Sequence, residues 1–371
     1  MFGKTQKIIE ARRAGTLRDM CLDVLSQAKG EGLLKIAFFH SAANDNDYLE
    51  TLETLRTTVD DFSAATPPLM SYISQGAGND RLIAEATYLT NNNVCIERHS
   101  NYLLLSSGNC QEIITNGIVP GDVSKSAFEQ SVEIFGIIGD ILKKNGFRPS
   151  DIYRQWNYIQ HITDGKEGSQ NYQEFNDARS IFYSGDSWAN GYPAATGIGT
   201  SAGGVMVELC AIKDCDVPNK PIDNPLQIAA HNYSQRVLDG KAIDALQGLT
   251  TPKFERARLL DDKIFISGTA AIKGENSNFS NNTVEQAAET MEIMNHLVSK
   301  ENIPVESNGS EYELLRIYVK RKGDIPAVMQ YMQQHYPAPA KHYLVADVCR
   351  PELLIEIEGV AKVKAPRSEQ A

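Results

Sequence analysis

The sequence has no long apolar run, no excess of basic residues and little cysteine, and each shortage removes a class of protein. No apolar stretch reaches the about 18 residues of a membrane-spanning helix, so the chain is not expected to cross a bilayer. The formal net charge of −11 argues against general nucleic-acid binding, which needs a basic surface. An anionic ligand would therefore need a local cationic pocket.

The six cysteines show neither a CxxC pair nor a His–Cys spacing typical of a zinc site. They are expected to be free, mostly structural thiols of a cytoplasmic protein. The basic start of the chain is not followed by an apolar segment, so no secretory signal is expected. The hydrophobic content of 42% and charged content of 22% are typical of a globular protein with a substantial core.

Two long stretches of the chain follow the same order of predicted elements, β-α-β-α-β. One starts near residue 93 and the other near residue 254, and in both an apolar strand leads to a Ser-Gly pair and then an amphipathic helix. The matched positions are Gly108 with Gly268, Glu129-Gln130 with Glu285-Gln286, and Glu208 with Glu356. Their offsets drift only by loop-sized steps, which is typical of a duplicated unit.

The segments "FISGTA", "VEQAAETMEIMNHLV" and "IEIEGVA" in the second stretch, with "LLSSGN", "FEQSVEIFGIIGDIL" and "VELCAI" in the first, resemble the RidA (YjgF) family. The resemblance implies an α/β (α+β) fold of tandem RidA/YjgF-like, chorismate-mutase-like units with mixed sheets, helices on one face and a pseudo-trimeric arrangement. The expected domains are an N-terminal extension or degenerate unit (1–92), a first unit (93–214), a linker (215–253), a second unit (254–364) and a disordered tail (365–371).

The blocks "YRQWNYIQHI", "NYQEFNDARSIFY", "GYPAATGIG" and "VCRPELLIEIE" are similar to those of one branch of that superfamily, the chorismatases. The resemblance implies cleavage of chorismate, a dianion, to pyruvate and a ring product, with no metal or organic cofactor. Protonation of the enolpyruvyl methylene gives an oxocarbenium-like cation, which water or a ring hydroxyl can trap. The proton donor must still be protonated near neutral pH, and a buried glutamic acid meets that requirement.

The resemblance assigns the acid to Glu356 and the choice of product to Cys349, seven residues earlier. In this family a cysteine there marks the branch that makes 3-hydroxybenzoate, whereas an alanine accompanies hydrolysis to a dihydroxycyclohexadiene carboxylate. A thiol can relay a proton. Glu208 and Glu358 are expected to be structural.

Arginine matches a carboxylate in bidentate geometry, so the guanidinium groups in these blocks are the expected substrate anchors. The expected substrate-binding residues are Arg154, Arg179, Tyr172, Tyr183, Tyr192, Lys341, Ala270 and Ala271. RidA-type deaminases have an arginine at the position of Lys341, which disfavours ordinary imine deamination here.

Three functions are thus compatible with the sequence. The first is a chorismatase that releases pyruvate and 3-hydroxybenzoate, acting on a small molecule as a monomer or dimer, without nucleic acid or membrane partners. The alternatives are a RidA-like enamine or imine deaminase and a non-catalytic sensor of a small carboxylate.

Overall fold

The N-terminal part of the chain forms a complete four-stranded sheet with two helices. The computed structural model describes residues 2–63, 66–165, 169–238, 248–278 and 280–366. The elements of this N-terminal sheet are β1 (Lys4–Glu10), α1 (Leu17–Ala28), β2 (Leu33–Phe39), α2 (Asp45–Phe62), β3 (Leu69–Ile73) and β4 (Ile83–Leu89). The strand order is β1-β4-β2-β3, in which β2 and β3 are parallel.

The middle sheet contains the same four-stranded pattern, extended by a hairpin. Its elements are β5 (Cys95–Arg98), β6 (Tyr102–Ser107), β7 (Cys110–Thr115), α3 (Ala127–Lys144), β8 (Ile152–Gln160), α4 (Asn171–Tyr183), β9 (Ala194–Thr200) and β10 (Val205–Lys213). The order is β5-β6-β7-β10-β8-β9. Ser126 begins α3 with a reciprocal capping box to Glu129, which satisfies two orphan donors of the first turn.

The C-terminal sheet repeats the extended pattern. Its elements are β11 (Asn219–Ile222), β12 (Ala257–Leu260), β13 (Lys263–Thr269), α5 (Thr283–Leu297), β16 (Ser310–Val319), α6 (Ile325–His335), β17 (Ala340–Val345) and β18 (Ile355–Val363), with a small separate hairpin of β14 (Ile272–Lys273) and β15 (Asn276–Ser277). The order is β11-β12-β13-β18-β16-β17. The predicted fold class, mixed sheets with helices, is confirmed.

Each sheet has one face under its own helices and the other toward the neighbouring sheets. Ile134 and Ile138 of α3, for example, pack with Val207 of β10. Phe39, Tyr158 and Tyr318, which hold the same register on β2, β8 and β16, meet in one shared cluster. The three sheets therefore enclose a common core, as in a trimer built from one chain.

The predicted repeat is present, but part of its alignment is wrong. Gln130 and Gln286 are equivalent, since each side chain accepts from the backbone N–H of Val205 or Leu354 at the start of the last strand. Gly108, in contrast, lies in the β6–β7 turn with φ of 60°, whereas Gly268 lies inside β13. The single strand expected from residue 93 is in fact a hairpin, because His99–Asn101 interrupt it.

The N-terminal stretch and the expected linker both contain more regular structure than the sequence predicted. Residues 1–92 contain the full set of four strands and two helices, so we propose that they form a third unit. The proposed linker contributes β11 to the C-terminal sheet. The domain boundaries remain proposals, and residues 367–371 of the expected disordered tail lie outside the described residues.

The expectation that all six cysteines are free is wrong for Cys110 and Cys215, which form a disulfide. The register of β7 against β10 places Gln111 opposite Lys213, and the two cysteines follow just beyond that pair. Because they are 105 residues apart in sequence, no local spacing could indicate the bond. No helix in the described part of the chain is long and apolar enough to cross a membrane.

Candidate active site

Three buried glutamates occupy the same register on the last strand of each sheet. Counted from the irregularity in each ladder, Glu85 of β4, Glu208 of β10 and Glu358 of β18 are equivalent. Each forms an ion pair with a cation of a neighbouring sheet. The pairs are Arg316–Glu85 at 2.7 Å, Lys35–Glu208 at 3.0 Å, and Arg154–Glu358.

Glu356 is a fourth buried carboxyl group, and it is not equivalent to these three glutamates. It lies two residues before Glu358 on the same face of β18, opposite Tyr318. The equivalent residues are Ile83, opposite Phe39, and Met206, opposite Tyr158. The sequence alignment of Glu208 with Glu356 is therefore wrong by two residues. The error kept both residues on the same strand face, because side chains two positions apart point the same way. Only the C-terminal sheet has a carboxyl here.

The Glu356 side chain is buried and has no counter-ion. It is 4% exposed, and among the described residues no hydrogen bond or ion pair of its carboxyl is found. Burial, and then the negative charge of Glu358, raise the pKa of Glu356 to about 8, while Arg154 opposes the shift. Glu356 is thus a carboxylic acid that is mostly protonated at pH 7.

Gly268 provides the space for this carboxyl. A Cβ atom at Gly268 would lie 1.9 Å from Glu356 Oε1 and 3.0 Å from Thr196 Cγ2. Gly117 has the same relation to Met206 in the middle sheet, where the added Cβ would lie 2.2 Å from the sulfur. A strand glycine that allows such a close approach is a typical feature of a packed site.

Glu356 faces a cavity of about 500 Å³ between the middle and C-terminal sheets. This volume suits a small organic ligand. The polar lining includes Gln170, Tyr172, Gln173, Asn176, Gln227, Tyr233, Arg236, Arg256, Glu275, Arg350, Glu352 and Glu356, with the thiol of Cys349. Gln227, Tyr233 and Arg236 come from the predicted linker, which is therefore a wall of the cavity.

Two guanidinium groups of the lining lie against one aromatic ring. Arg256 and Arg350 have their guanidinium carbons 5.4 Å and 5.5 Å from the centre of the Tyr233 ring. Arg256 also donates to the Tyr233 hydroxyl at 2.7 Å, yet its buried Nε has no partner among the described residues. This end of the cavity is therefore a cationic surface with an unused donor.

Arg179 is a buried cation near the cavity. It is 2% exposed and donates to Asn176 Oδ1 at 2.5 Å, and among the described residues it pairs with no carboxylate. Its Nε and the Asn176 Nδ2 both lack hydrogen-bond partners in the part of the chain that the structure describes. Burial lowers the pKa of Arg179, because the charged form loses hydration there. Unpaired buried donors of this kind suit an anionic ligand.

Cys349 lines the cavity, and its backbone oxygen accepts from Gln170 Nε2 at 3.3 Å. Burial, and then the nearby Glu356, raise the pKa of the thiol to about 12. The side chain therefore stays a neutral thiol, which can relay a proton but is a poor nucleophile.

The structure brings together four of the ten residues selected from the sequence. These residues of the cavity lining are Glu356, Cys349, Tyr172 and Ala270. Arg179 contacts the lining through Asn176, as described above. Arg154 is bonded to Glu358, and its Nη1 has no partner.

The other four lie outside the lining. The Tyr183 hydroxyl donates to Gln155 at 2.8 Å, and Tyr192 packs against Trp188. Lys341 donates to the Pro339 carbonyl at 2.9 Å at the edge of the C-terminal sheet. Ala271 is fully buried beside the cavity residue Ala270.

Sequence reasoning missed Arg256, Arg350, Tyr233 and Asn176. Arg350 and Asn176 stand inside the quoted motif blocks, so their position next to Cys349 and Arg179 was an available signal. Arg256 and Tyr233 are outside those blocks, and only the tertiary structure brings them to the cavity.

Known proteins resemble this chain in both sequence and structure. The family model described as "Chorismatase FkbO/Hyg5-like, N-terminal" matches residues 90–211. The chain is 30% identical over 237 residues to a 3-hydroxybenzoate synthase of Streptomyces hygroscopicus, covering 60% of this chain and 66% of that protein. It is 31% identical over 242 residues to a chorismatase of Streptomyces rapamycinicus, covering 61% and 67%.

A crystal structure of a chorismatase has the same fold, with a TM-score of 0.72, 19% identity, and coverage of 97% of this chain and 98% of that one. The sequence matches span about two thirds of the length of the curated relatives. The matches and the shared fold together show that the chain belongs to the chorismatase family.

Proposed function

We propose that this protein cleaves chorismate to pyruvate and 3-hydroxybenzoate. The observation that carries the proposal is the Glu356 carboxyl, which is buried, without a counter-ion and directed into a cavity with cationic walls. The relatives named 3-hydroxybenzoate synthase and chorismatase support the choice of substrate.

Glu356 is the general acid of the proposed reaction. It donates its proton to the terminal methylene carbon of the enolpyruvyl ether, and the resulting oxocarbenium-like cation is stabilised by the carboxylate that remains. The ring hydroxyl on the neighbouring carbon then forms a C–O bond to the ring carbon that carries the ether, while the bond from that carbon to the ether oxygen breaks and its electrons complete the carbonyl of pyruvate. The hydroxyl proton returns to the Glu356 carboxylate, and the epoxide left on the ring opens with loss of a ring proton to give 3-hydroxybenzoate. No water is consumed, since pyruvate and 3-hydroxybenzoate together contain all the atoms of chorismate.

The two carboxylates of the substrate need two cationic partners. We assign one to Arg179 with Asn176, whose donors are buried and unused, and the other to Arg256 and Arg350 beside Tyr233. Arg154 remains a candidate only through its unpaired Nη1. Tyr172 and Ala270 shape the cavity wall, whereas Tyr183, Tyr192, Ala271 and Lys341 would act through neighbours rather than by direct contact.

Cys349 is proposed to direct the ring intermediate toward the aromatic product. Its neutral thiol lies in the same cavity and within the electrostatic influence of Glu356. A proton relay from the ring through the thiol would favour loss of a ring proton, and therefore aromatisation, over capture of water.

The test is incubation of the purified protein with chorismate, with pyruvate measured through lactate dehydrogenase and the ring product by mass spectrometry. We expect pyruvate and 3-hydroxybenzoate in equal amounts. Glu356→Gln should lower turnover by about 10²-fold or more, the usual contribution of general acid catalysis. Absence of pyruvate between pH 6 and 9, or full activity in Glu356→Gln, would contradict the proposal.

We propose that the protein acts as a monomer or a dimer, since the middle and C-terminal sheets of the same chain both contribute residues to the cavity lining. We propose a cytoplasmic location. In that reducing compartment the Cys110–Cys215 disulfide would persist only if it resists reduction.

A further inference from the structure

The Glu358 carboxylate has several hydrogen-bond donors around it, in addition to the ion pair with Arg154. Its Oε2 accepts from Arg154 and from the Thr196 hydroxyl. Its Oε1 accepts from Trp156 Nε1 and the Tyr318 hydroxyl, both at 3.0 Å, and lies 2.9 Å from Arg316 Nη1. The side chain is 3% exposed, so these contacts are shielded from water.

Arg154 is bonded to Glu358 and also acts electrostatically on Glu356. Its guanidinium stacks on Trp156, 4.5 Å from the ring centre, and donates to Thr196 at 2.8 Å. Glu356 and Glu358 share one face of β18, two residues apart, and Arg154 acts electrostatically on Glu356 as well. Within the described part of the chain, Arg154 Nη1 has no hydrogen-bond partner, so the guanidinium retains a donor for a second carboxylate.

We infer that Glu358 is a positioning residue that retains the Arg154 guanidinium and so leaves the Glu356 carboxyl without a counter-ion in the cleft. In the other two interfaces, the residues two positions before the equivalent glutamates are the apolar Ile83 and Met206, so the ion pair has no second carboxyl at that position to act on. In the cavity that contains Glu356, the equivalent ion pair, Arg154–Glu358, joins the sheets and also keeps Arg154 from pairing with Glu356. This role rests on the proposed function.

The groups that face Glu356 come from several elements. Glu358 lies on β18, Arg154 on β8, Cys349 on the loop before β18 and Tyr172 on α4. The thiol and the phenol are neutral near pH 7, since burial raises the pKa of both. Burial is the main cause of the raised pKa of Glu356, and among these groups Glu358 raises that pKa further while Arg154 lowers it.

The experiment compares the pH profiles of kcat for the wild type, Glu358→Gln and Arg154→Met. Because the acid must be protonated, activity falls as pH rises through the pKa of Glu356. Without the Glu358 charge, Arg154 is free to pair with Glu356, and the alkaline limb should move down by about one pH unit or more. In Arg154→Met the limb should move up, and the KM for chorismate should change less than kcat at high pH.

Glu208→Gln is the matched control, because it removes the equivalent glutamate at another interface. It should leave the limb in place even if it lowers stability. An alkaline limb of the pH profile that does not move in Glu358→Gln would overturn the inference. If Glu358→Gln does not fold, an alkaline limb that does not move in Arg154→Met would overturn it instead. So would a rise in KM as the main effect of Arg154→Met, which would make Arg154 a substrate anchor.

A substrate-free measurement separates this inference from the proposed function. The infrared band of the protonated carboxyl, identified by its loss in Glu356→Gln, reports the titration of Glu356 directly. It should titrate at lower pH in Glu358→Gln and at higher pH in Arg154→Met. If these shifts occur but no pyruvate forms from chorismate, the proposed reaction fails and the positioning role stands. If pyruvate forms and the band does not shift, the positioning role fails.

Discussion

The Glu356 carboxyl combines two properties that conflict in a solvated side chain, acidity and retention of its proton near neutral pH. Burial without a counter-ion resolves the conflict, because the charged form is the one that loses hydration. The sequence identified Glu356 and Cys349 through a motif, but it could not tell Glu356 from a solvated carboxylate. Only the neighbours in space decide the difference.

The buried acid has a cost in stability that depends on pH. The pKa of Glu356 is about 8 in the folded chain and 4.5 when the fold is lost. Between these two pH values the folded state therefore holds a proton on Glu356 that the unfolded state has released. Its contribution to stability is therefore lost as pH rises from 4.5 to 8, by at most about 1.4 kcal/mol per pH unit.

Glu356→Gln should accordingly melt at a higher temperature than the wild type at pH 8, and the difference should shrink toward pH 5. Melting curves of the two proteins across this range measure the effect. An equal difference at every pH would show that the acid is not buried as described.

Replacement of Cys349 separates product choice from ether cleavage. Cys349→Ala should release pyruvate at a rate within about tenfold of the wild type, because the methylene proton comes from Glu356. The ring product should shift from 3-hydroxybenzoate toward the dihydroxycyclohexadiene carboxylate, which chromatography and mass spectrometry resolve. Cys349→Ser, which keeps a proton donor, is the matched control. An unchanged product in the alanine variant would remove the thiol from the mechanism.

At the scale of elements, β13 and β18 illustrate how a strand makes room for a functional group. The register of β13 against β18 shifts between Ile266 and Thr269, and Gly268 lies inside this irregular segment. The Glu356 carboxyl occupies the space that a side chain at position 268 would need. Sequence reasoning used this glycine as a repeat landmark and paired it with the turn residue Gly108, since a Ser-Gly pair looks the same in a strand and in a turn.

Gly268→Ala should therefore displace the Glu356 carboxyl and reduce kcat by about tenfold or more, with the fold retained. Gly136→Ala in α3 is the control, because a Cβ there meets nothing within 4 Å and alanine favours the helix. Circular dichroism and kcat distinguish the two variants. Equal activity in both would show that the carboxyl has space to spare.

At the scale of the whole molecule, the described residues form three equivalent sheets, but only the C-terminal sheet carries a carboxyl at the position of Glu356. Positions 83, 206 and 356 are equivalent, and isoleucine and methionine fill the first two. The units of the middle and C-terminal sheets were visible in the sequence through their matched glutamine and helix pattern. The N-terminal stretch was predicted only as an extension or a degenerate unit, because it lacks the extra edge strands and the Ser-Gly and Glu-Gln landmarks.

The disulfide between Cys110 and Cys215 fixes the end of the middle sheet to the segment that leads to the cavity wall. Thiol titration of the unfolded, unreduced protein should count four free cysteines, Cys21, Cys95, Cys210 and Cys349, and six after reduction. Six thiols before reduction would show that the bond is absent in the isolated protein. The double variant Cys110→Ser with Cys215→Ser should titrate four thiols in both conditions.

The sequence by itself predicted the helices and most strands of the middle and C-terminal units, since periodicity acts over a few residues, and its resemblance to a family proposed Glu356 as the acid and Cys349 as the thiol. The tertiary structure alone decided which strand positions are equivalent, which cations meet the cavity and which carboxyl has no counter-ion. These properties depend on contacts between residues far apart in the chain, such as Arg154 with Glu358, and the environment of a charge is set by everything around it.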